Sequence, residues 1–308
     1  MITVEDIDYT EYSNLQLLVV PALLLVFVGV VVGATYVTTG SPVSLGFEFT
    51  GGAEVQVTTD APIEQVRSDF SGIQGLPNPA NVRSISTGYI VTYKPTAGEG
   101  VLSNSQTTKL QDFLDANYPQ SSISQIAPTY GSSLLVQGVW AVVFAFLIMS
   151  VTVFAFFRTF VPSIAVVLSA FSDMVVPIAF MNLLGIELSL ATIPAVLLLI
   201  GYSIDSDILL TRNVLEGRRS QFYENVKTAM KTGITMTTTS MGAMAVMAVT
   251  SHLFSIFVLR DIGIILFVGL GTDILNTYMM NVALLRRHVL GPVSPSREPG
   301  SGSSVGGD

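Results

Sequence analysis

The stretch GYSIDSDILLTRNVLEGRR, Gly201 to Arg219, decides how this chain is read. It closes an apolar run with two carboxylates, Asp205 and Asp207, and then passes into an arginine cluster, Arg212, Arg218 and Arg219. A carboxylate at membrane depth costs about 2.5–3.5 kcal/mol even on permissive insertion scales, so such residues are rare in spans and face a protein interior or a water-filled path. On an α-helix, residues two apart point about 200° away from each other. At most one of the pair can therefore face a bundle interior. The other faces a neighbouring subunit, the membrane interface or the basic loop. Two readings stand for the pair: they sit near the membrane surface and pair with Arg212 or Arg218, or one is a protonatable group that loads and releases protons.

The rest of the composition makes the membrane reading the natural one. Of 308 residues, 50% are apolar and only 12% charged, with a mean hydropathy of +0.61, which is too apolar for an ordinary soluble domain. There is no cysteine, which excludes disulfides, thiol nucleophiles and cysteine metal sites. The two histidines, His252 and His288, are far apart, so neither a metal site nor a bound cofactor is expected. A net charge of −8 argues against nucleic acid as a partner. No G-x-x-x-x-G-K-[ST] loop and no nucleophile–base pair is visible, so the chain is not expected to be an enzyme.

A helix needs about 20 apolar residues to cross the hydrocarbon core. Six runs qualify: 15–37, 134–157, 161–184, 188–210, 232–249 and 262–285. The first follows acidic residues Glu5, Asp6, Asp8 and Glu11 rather than a basic flank, so it reads as a retained span and not a cleaved signal. Arg158, the Arg212–Lys231 loop, Arg286 and Arg287 all fall on one side of a six-span layout. That side is expected to be cytoplasmic, with both termini inside. The division expected is a cytoplasmic N-terminus at 1–14, a first span at 15–37, an extracytoplasmic segment at 38–133, spans two to six within 134–290, and a disordered cytoplasmic tail at 291–308. Within 38–133, strand-like 53–59, a short helix at 62–70, a hairpin around Thr87-Gly88, a helix face of Leu110, Phe113, Leu114 and Tyr118, and strand-like 121–129 give β-α-β-β-α-β. This is the ferredoxin-like α+β pattern.

Two further carboxylates lie mid-span, Asp173 in the third and Asp273 in the sixth. Each is either hydrogen-bonded to a hydroxyl on the next helix or part of a proton path; for Asp173 the structural role is the expectation. The fifth run offers Thr235, Thr237, Thr238, Thr239 and Ser240 as partners. Asp205 and Asp273, with these hydroxyls, are expected to line a polar path, with Arg212 as a positive gate at its mouth. Gly201, Gly263, Gly269 and Gly271 are expected to permit close helix packing. Met236, Met241, Met244 and Met247 read as adaptable packing, and Trp140 as an interface anchor.

Two motifs carry a resemblance. GFEFTGG, Gly46 to Gly52, resembles the G-x-D-F-x-G-G motif of the SecD/SecF family, with Gly46, Gly51 and Gly52 in place and Glu48 standing for the usual aspartate. The opening stretch resembles the fourth-span motif of the SecF branch, especially its archaeal form, through Gly201, Tyr202 and Ser203. Bacterial members commonly continue apolar-Asn-Asp-Thr; here the run is Ile204-Asp205-Ser206-Asp207, so the acidic positions are shifted. Thr211 stands where those members carry an aspartate, and Arg212 matches their arginine. The resemblance spans essentially 10–290. It implies half of an RND-superfamily bundle, with six transmembrane helices around an inserted ferredoxin-like domain. It also implies protein transport at the cell membrane: an accessory subunit that acts with SecD, a second six-span protein, and the Sec translocon. The pair would assist translocation of unfolded polypeptides, driven by the proton motive force. The alternative is an RND-type exporter of small molecules or lipids.

Overall fold

Ser13 opens the first long helix with a capping box: its hydroxyl accepts the Gln16 N–H at 3.2 Å, and the Gln16 side chain accepts the Ser13 N–H at 2.8 Å. This helix, α1 (Asn14–Thr39), ends where Gly40 turns left-handed at φ 78. A computed structural model of the chain describes residues 9, 12–85, 88–94, 102–254 and 256–291. The acidic run Glu5, Asp6, Asp8 and Glu11, Thr87 at the expected hairpin tip, and all of the expected tail beyond Gly291 lie outside these residues.

After α1 the chain makes one short turn of helix, α2 (Phe47–Thr50), inside the Gly46–Gly52 motif. A small α+β unit follows: β1 (Gly52–Thr58), α3 (Ile63–Ser71), β2 (Asn81–Ile85), β3 (Gly88–Tyr93), α4 (Asn104–Asn117) and β4 (Ser121–Ile126). The sheet runs in the order β2-β3-β1-β4 and every neighbouring pair is antiparallel. Period-2 alternation on β1 turns Val55 and Val57 inward. They pack with Val91, Phe70, Leu110 and Leu114 under the two helices. Tyr118 closes this core and donates to Asp69 at 2.7 Å. Burial and that bond push its phenol up to about 12.

Seven further helical segments make a bundle: α5 (Pro128–Phe157), α6 (Phe160–Leu184), α7 (Ile193–Glu216), α8 (Phe222–Leu253), α9 (Phe257–Leu275), a π turn (Asn276–Asn281) and α10 (Val282–Leu290). Among the described residues, four helices, α1, α5, α6 and α7, are long and apolar enough to cross a membrane. The hydroxyl-rich α8 is less apolar, and the 19-residue α9, though apolar, carries three charged residues, Arg260, Asp261 and Asp273. α1 and α5 present Leu, Val and Phe side chains outward along much of their length, whereas α6 and α7 bury about half or more of their apolar windows. The fourth run, expected over 188–210, forms α7 five to six residues later. Ser189 and Thr192 bond each other's backbone in the turn before it (2.8 and 3.2 Å), and Arg212 pairs with Glu216 at 2.9 Å to carry the helix onward. The sixth run is continuous from Phe257 to Leu290, but its regular pitch is broken by the π turn.

The glycine expectation holds in part. A Cβ on Gly263 would lie 3.0 Å from the backbone of Ala248 and Met244, and one on Gly269 would lie 2.4 Å from Leu199. Gly201 faces open space, so its missing side chain serves no contact among the described residues.

The α+β unit is stitched to the bundle by the motif that precedes it. The Gly46 N–H donates to the Leu188 carbonyl at 2.8 Å, and the Leu188 N–H donates to the Ser44 carbonyl at 2.7 Å. The Glu48 carboxylate accepts the Leu190 N–H at 3.0 Å. Glu187 in the same α6–α7 turn pairs with Lys94 at 3.2 Å and Arg83 at 3.6 Å. Gly131 lets α5 touch α2 directly: a Cβ there would lie 2.7 Å from the carbonyls of Glu48 and Phe49. Gly131→Ala must therefore displace backbone, and we expect thermal unfolding of the solubilised protein to register a loss of about 1–3 kcal/mol.

Glu54 points from β1 into the cleft at this junction, with Glu48, Arg83 and Glu187 around it. Burial holds its carboxyl above the usual carboxylate range; Glu48 and Glu187 add to that and Arg83 opposes it. The folded state thus binds this proton more tightly than the unfolded state does. Its stability contribution is full below the ordinary carboxylate range and is lost as pH rises through the raised value. Glu54→Gln should raise the melting temperature at neutral pH, and the gain should vanish in acid.

Candidate functional site: a buried aspartate cluster

Three helices bring their carboxylates together. Asp173 comes from α6, Asp207 from α7 and Asp273 from α9, and each is at most 1% exposed. In each case a hydroxyl or amide one helical turn away, or on the facing helix, supplies the hydrogen bonds. Ser203 donates to Asp173 at 2.6 Å, as does Asn276. Ser206 donates toward both oxygens of Asp273 at 2.8 and 2.9 Å. Asp207 Oδ1 accepts from Thr277 at 2.7 Å and Asn281 at 2.5 Å, with Ser169 at 3.5 Å. Thr277 Oγ1 also lies 3.2 Å from Asp273, so one hydroxyl bridges two carboxylates.

None of the ion pairs among the described residues involves this cluster: Arg212 pairs with Glu216, and Arg260 with Asp261. Several buried oxygens are left without a hydrogen bond, namely Asp207 Oδ2, Asn276 Oδ1 and Asn281 Oδ1. A buried ion without a counter-charge costs several kcal/mol, whereas a neutral acid with hydrogen bonds does not. The arrangement is one in which the number of protons held decides the energy.

The opposed orientation expected for Asp205 and Asp207 is what the helix shows. Asp207 is the one turned inward; Asp205 is exposed. Asp205 lines a small cleft of about 90 Å³ between α7 and α8, with Tyr202, Ser206, Gly233, Thr237 and Ser240. The direct Asp205–Asp273 grouping expected from the sequence is therefore replaced by Asp173, Asp207 and Asp273. Ser206 stands at the wall between the cleft and Asp273. The threonines of α8 do not serve the cluster either: Thr235, Thr238 and Thr239 bond carbonyls of their own helix, with the nearest at 2.7, 2.5 and 2.7 Å. Their place is taken by Ser169, Ser203, Ser206, Asn276, Thr277 and Asn281. A signal for them was present as polar residues four apart in apolar helices: Ser169 and Asp173, Ser203 and Asp207, Asp273 and Thr277. Asn281 needed the π turn. Eight residues along an ideal α-helix it would sit about 80° round from Asp273. The wider turn returns it to the same stripe.

Fold and site together define a membrane protein with a polar acidic network sealed inside an apolar helical bundle and a small antiparallel α+β unit docked on one turn of it. Residues 105–289 match the family described as protein export membrane protein SecD/SecF, C-terminal, and with the relatives below the chain belongs to the SecF family of protein-export membrane proteins. It is 47% identical over 286 residues to the protein-export membrane protein SecF of Haloferax volcanii, covering 92% of this chain and 96% of that one. With SecF of Pyrococcus furiosus it shares 36% over 280 residues, covering 91% and 92%. The crystal structure of SecDF, a translocon-associated membrane protein from Thermus thermophilus, has a like fold: TM-score 0.71 at 20% identity, covering 92% of this chain and 39% of that one.

The Thr277 bridge makes a direct prediction. Thr277→Val keeps the shape and removes the donor, leaving Asp207 and Asp273 short of one bond. We expect a stability loss of about 1–3 kcal/mol by thermal unfolding, against a negligible effect for the outward-facing Thr238→Val.

Proposed function

We propose that this chain is an accessory subunit of the Sec export machinery. It works beside a SecD-type membrane subunit and the translocon, and it couples a proton gradient to polypeptide translocation through the Asp173–Asp207–Asp273 cluster. The observation that carries the reading is a set of three buried carboxylates with no cationic partner among the described residues, in a chain whose relatives are protein-export membrane proteins. A proton arriving from the cleft at Asp205 passes the Ser206 hydroxyl to Asp273, and Thr277 links Asp273 to Asp207. Each step is a hydrogen-bond exchange between neighbouring oxygens.

The layout that suits this role has six spans. α8 and the α9–α10 run cross beside α1, α5, α6 and α7, both termini lie on the cytoplasmic side with the arginine-rich turn, and residues 38–133 lie outside. The β-α-β-β-α-β order and the antiparallel β2-β3-β1-β4 sheet support a ferredoxin-like domain there, placed to meet emerging unfolded chain. Arg212, toward the inner end of α7 and ion-paired with Glu216, is the candidate gate at the inner mouth of the path.

The test is export of a secreted reporter in cells whose native copy is replaced. Asp207→Asn and Asp273→Asn, each at wild-type protein level, should slow export by about a hundredfold, the lower end of what a positioned proton-transfer group supplies. Asp205→Asn should have a smaller effect. Undiminished export in both inner variants would sink the proton-path reading. Co-purification from native membranes should bring down a second membrane subunit and the translocon; recovery of this chain alone would remove the accessory-subunit reading.

A further inference from the structure

The π turn that carries Asn276, Thr277 and Asn281 is contacted by Tyr9, which precedes α1 in the chain. The Tyr9 phenol is 4% exposed and donates to the carbonyl of Tyr278, inside the turn, at 3.0 Å. It also lies 3.2 Å from the Met230 sulfur on α8. Arg286, one turn into α10, is 3% exposed. Its guanidinium donates to the Tyr9 carbonyl at 3.0 Å, to the Tyr12 carbonyl at 2.8 Å and to the Asn14 side chain. These partners are uncharged. The fork of donors thus ties the chain before α1 to the helix just beyond the π turn.

A π turn is a local excess of one residue in a helix, and such turns occur mostly at functional sites. Its register here is what aims Asn281 and Thr277 at Asp207. Relaxation to α-helical pitch would rotate Asn281 off the stripe it shares with Asp273. Besides its bonds to Asp173 and Asp207 and the Tyr278 contact with the Ala229 carbonyl, the turn is held by the Tyr9 phenol, whose own backbone Arg286 fixes. Tyr9 belongs to the buried cluster of Leu17, Leu210, Met230 and Tyr278, and it also lines an open, mainly apolar cleft of about 710 Å³ with Ile274.

We propose that Tyr9 and Arg286 are positioning residues for the aspartate cluster. They hold the π turn in the register in which Thr277 and Asn281 donate to Asp207, and loss of the Tyr9 contact withdraws those donors. The consequence for protons rests on the cluster being the proton site; the mechanical link does not. Around Asp207 the ionisable groups are Asp173 from α6, Asp273 from α9 and Tyr278 from the π turn, while Asp205, two residues back on the opposite face of α7, acts on Asp273.

The experiment uses the full chain with its partner subunit in lipid nanodiscs, as wild type, Tyr9→Phe, Arg286→Gln and Thr277→Val. Hydrogen exchange by mass spectrometry reads the link. Tyr9→Phe removes one oxygen, and exchange over 276–285 should quicken by about five- to tenfold while the α+β unit is unchanged. Carbodiimide labelling of Asp207 across pH reads the cluster. The Tyr9→Phe and Thr277→Val profiles should both be displaced, by about one pH unit. Exchange over the π turn unaltered in Tyr9→Phe, or quickened equally everywhere, overturns the proposal. So does a labelling profile that moves for Thr277→Val but not for Tyr9→Phe. A wild-type profile flat in pH would instead remove the proton-site reading, and the exchange result would still decide the link. If Arg286→Gln fails to insert, the Tyr9→Phe exchange rate by itself upholds or overturns the link.

Discussion

Carboxylates in a low-dielectric interior, with no cation paired to them among the described residues, set the terms for the rest of the bundle. Each ionised group there forfeits several kcal/mol of hydration, so the surrounding helices must either neutralise it or solvate it. Here they solvate it. Ser169, Ser203, Ser206, Asn276, Thr277 and Asn281 are all directed at Asp173, Asp207 or Asp273. The demand for donors explains features that would otherwise be liabilities, above all a π turn in the last long helix. It also accounts for why α6, α7 and α9 form the buried centre while α1 and α5, which bring no donor to the cluster, present apolar side chains outward.

The helices that carry Asp173 and Asp207 are joined by the turn on which the α+β unit is docked. Leu188 and Leu190 offer backbone to Gly46 and Glu48 there, and Glu187 holds Arg83 and Lys94. At the other end of the bundle, Tyr9 bonds the π turn that supplies donors, and Arg286 bonds the Tyr9 carbonyl. The polar centre is thus linked through rigid helices to attachment points at both ends. The exposed ion pairs at Glu187 contribute little stability each. The backbone bonds and the close approach at Gly131 do more to fix the unit's place.

Much of this is legible in the residues. The apolar runs, the alternation in β1, the helix face of Leu110 and Leu114, and the opposed facing of Asp205 and Asp207 all follow from period 3.6 or period 2 acting within one element. The Gly46–Gly52 motif and the Gly201–Arg219 stretch point to the family. The departures share one origin. Residue order alone groups Asp205 with Asp273 and offers the α8 threonines to the carboxylates, because it holds no measure of proximity between elements. Gly201 is expected to pack and faces open space, since a glycine's use depends on what approaches it. The start of α7 lies later than the apolar run suggests because side chains of Ser189 and Thr192 bond the preceding turn.

The sequence by itself determined the chemistry available: acidic, hydroxyl and amide groups in apolar helices, no thiol, and a strand–helix pattern sufficient for a small α+β unit. Periodicity told which side of a helix a residue occupies. Only the tertiary structure decided that Asp173, Asp207 and Asp273 share one site, that Asp205 lies outside it, and that Asn281 joins it. The reason is geometric. Residues 34 to 100 positions apart meet only when helices choose their crossing and register, and a one-residue excess at the π turn changes which of them can touch, which no single-helix pattern records.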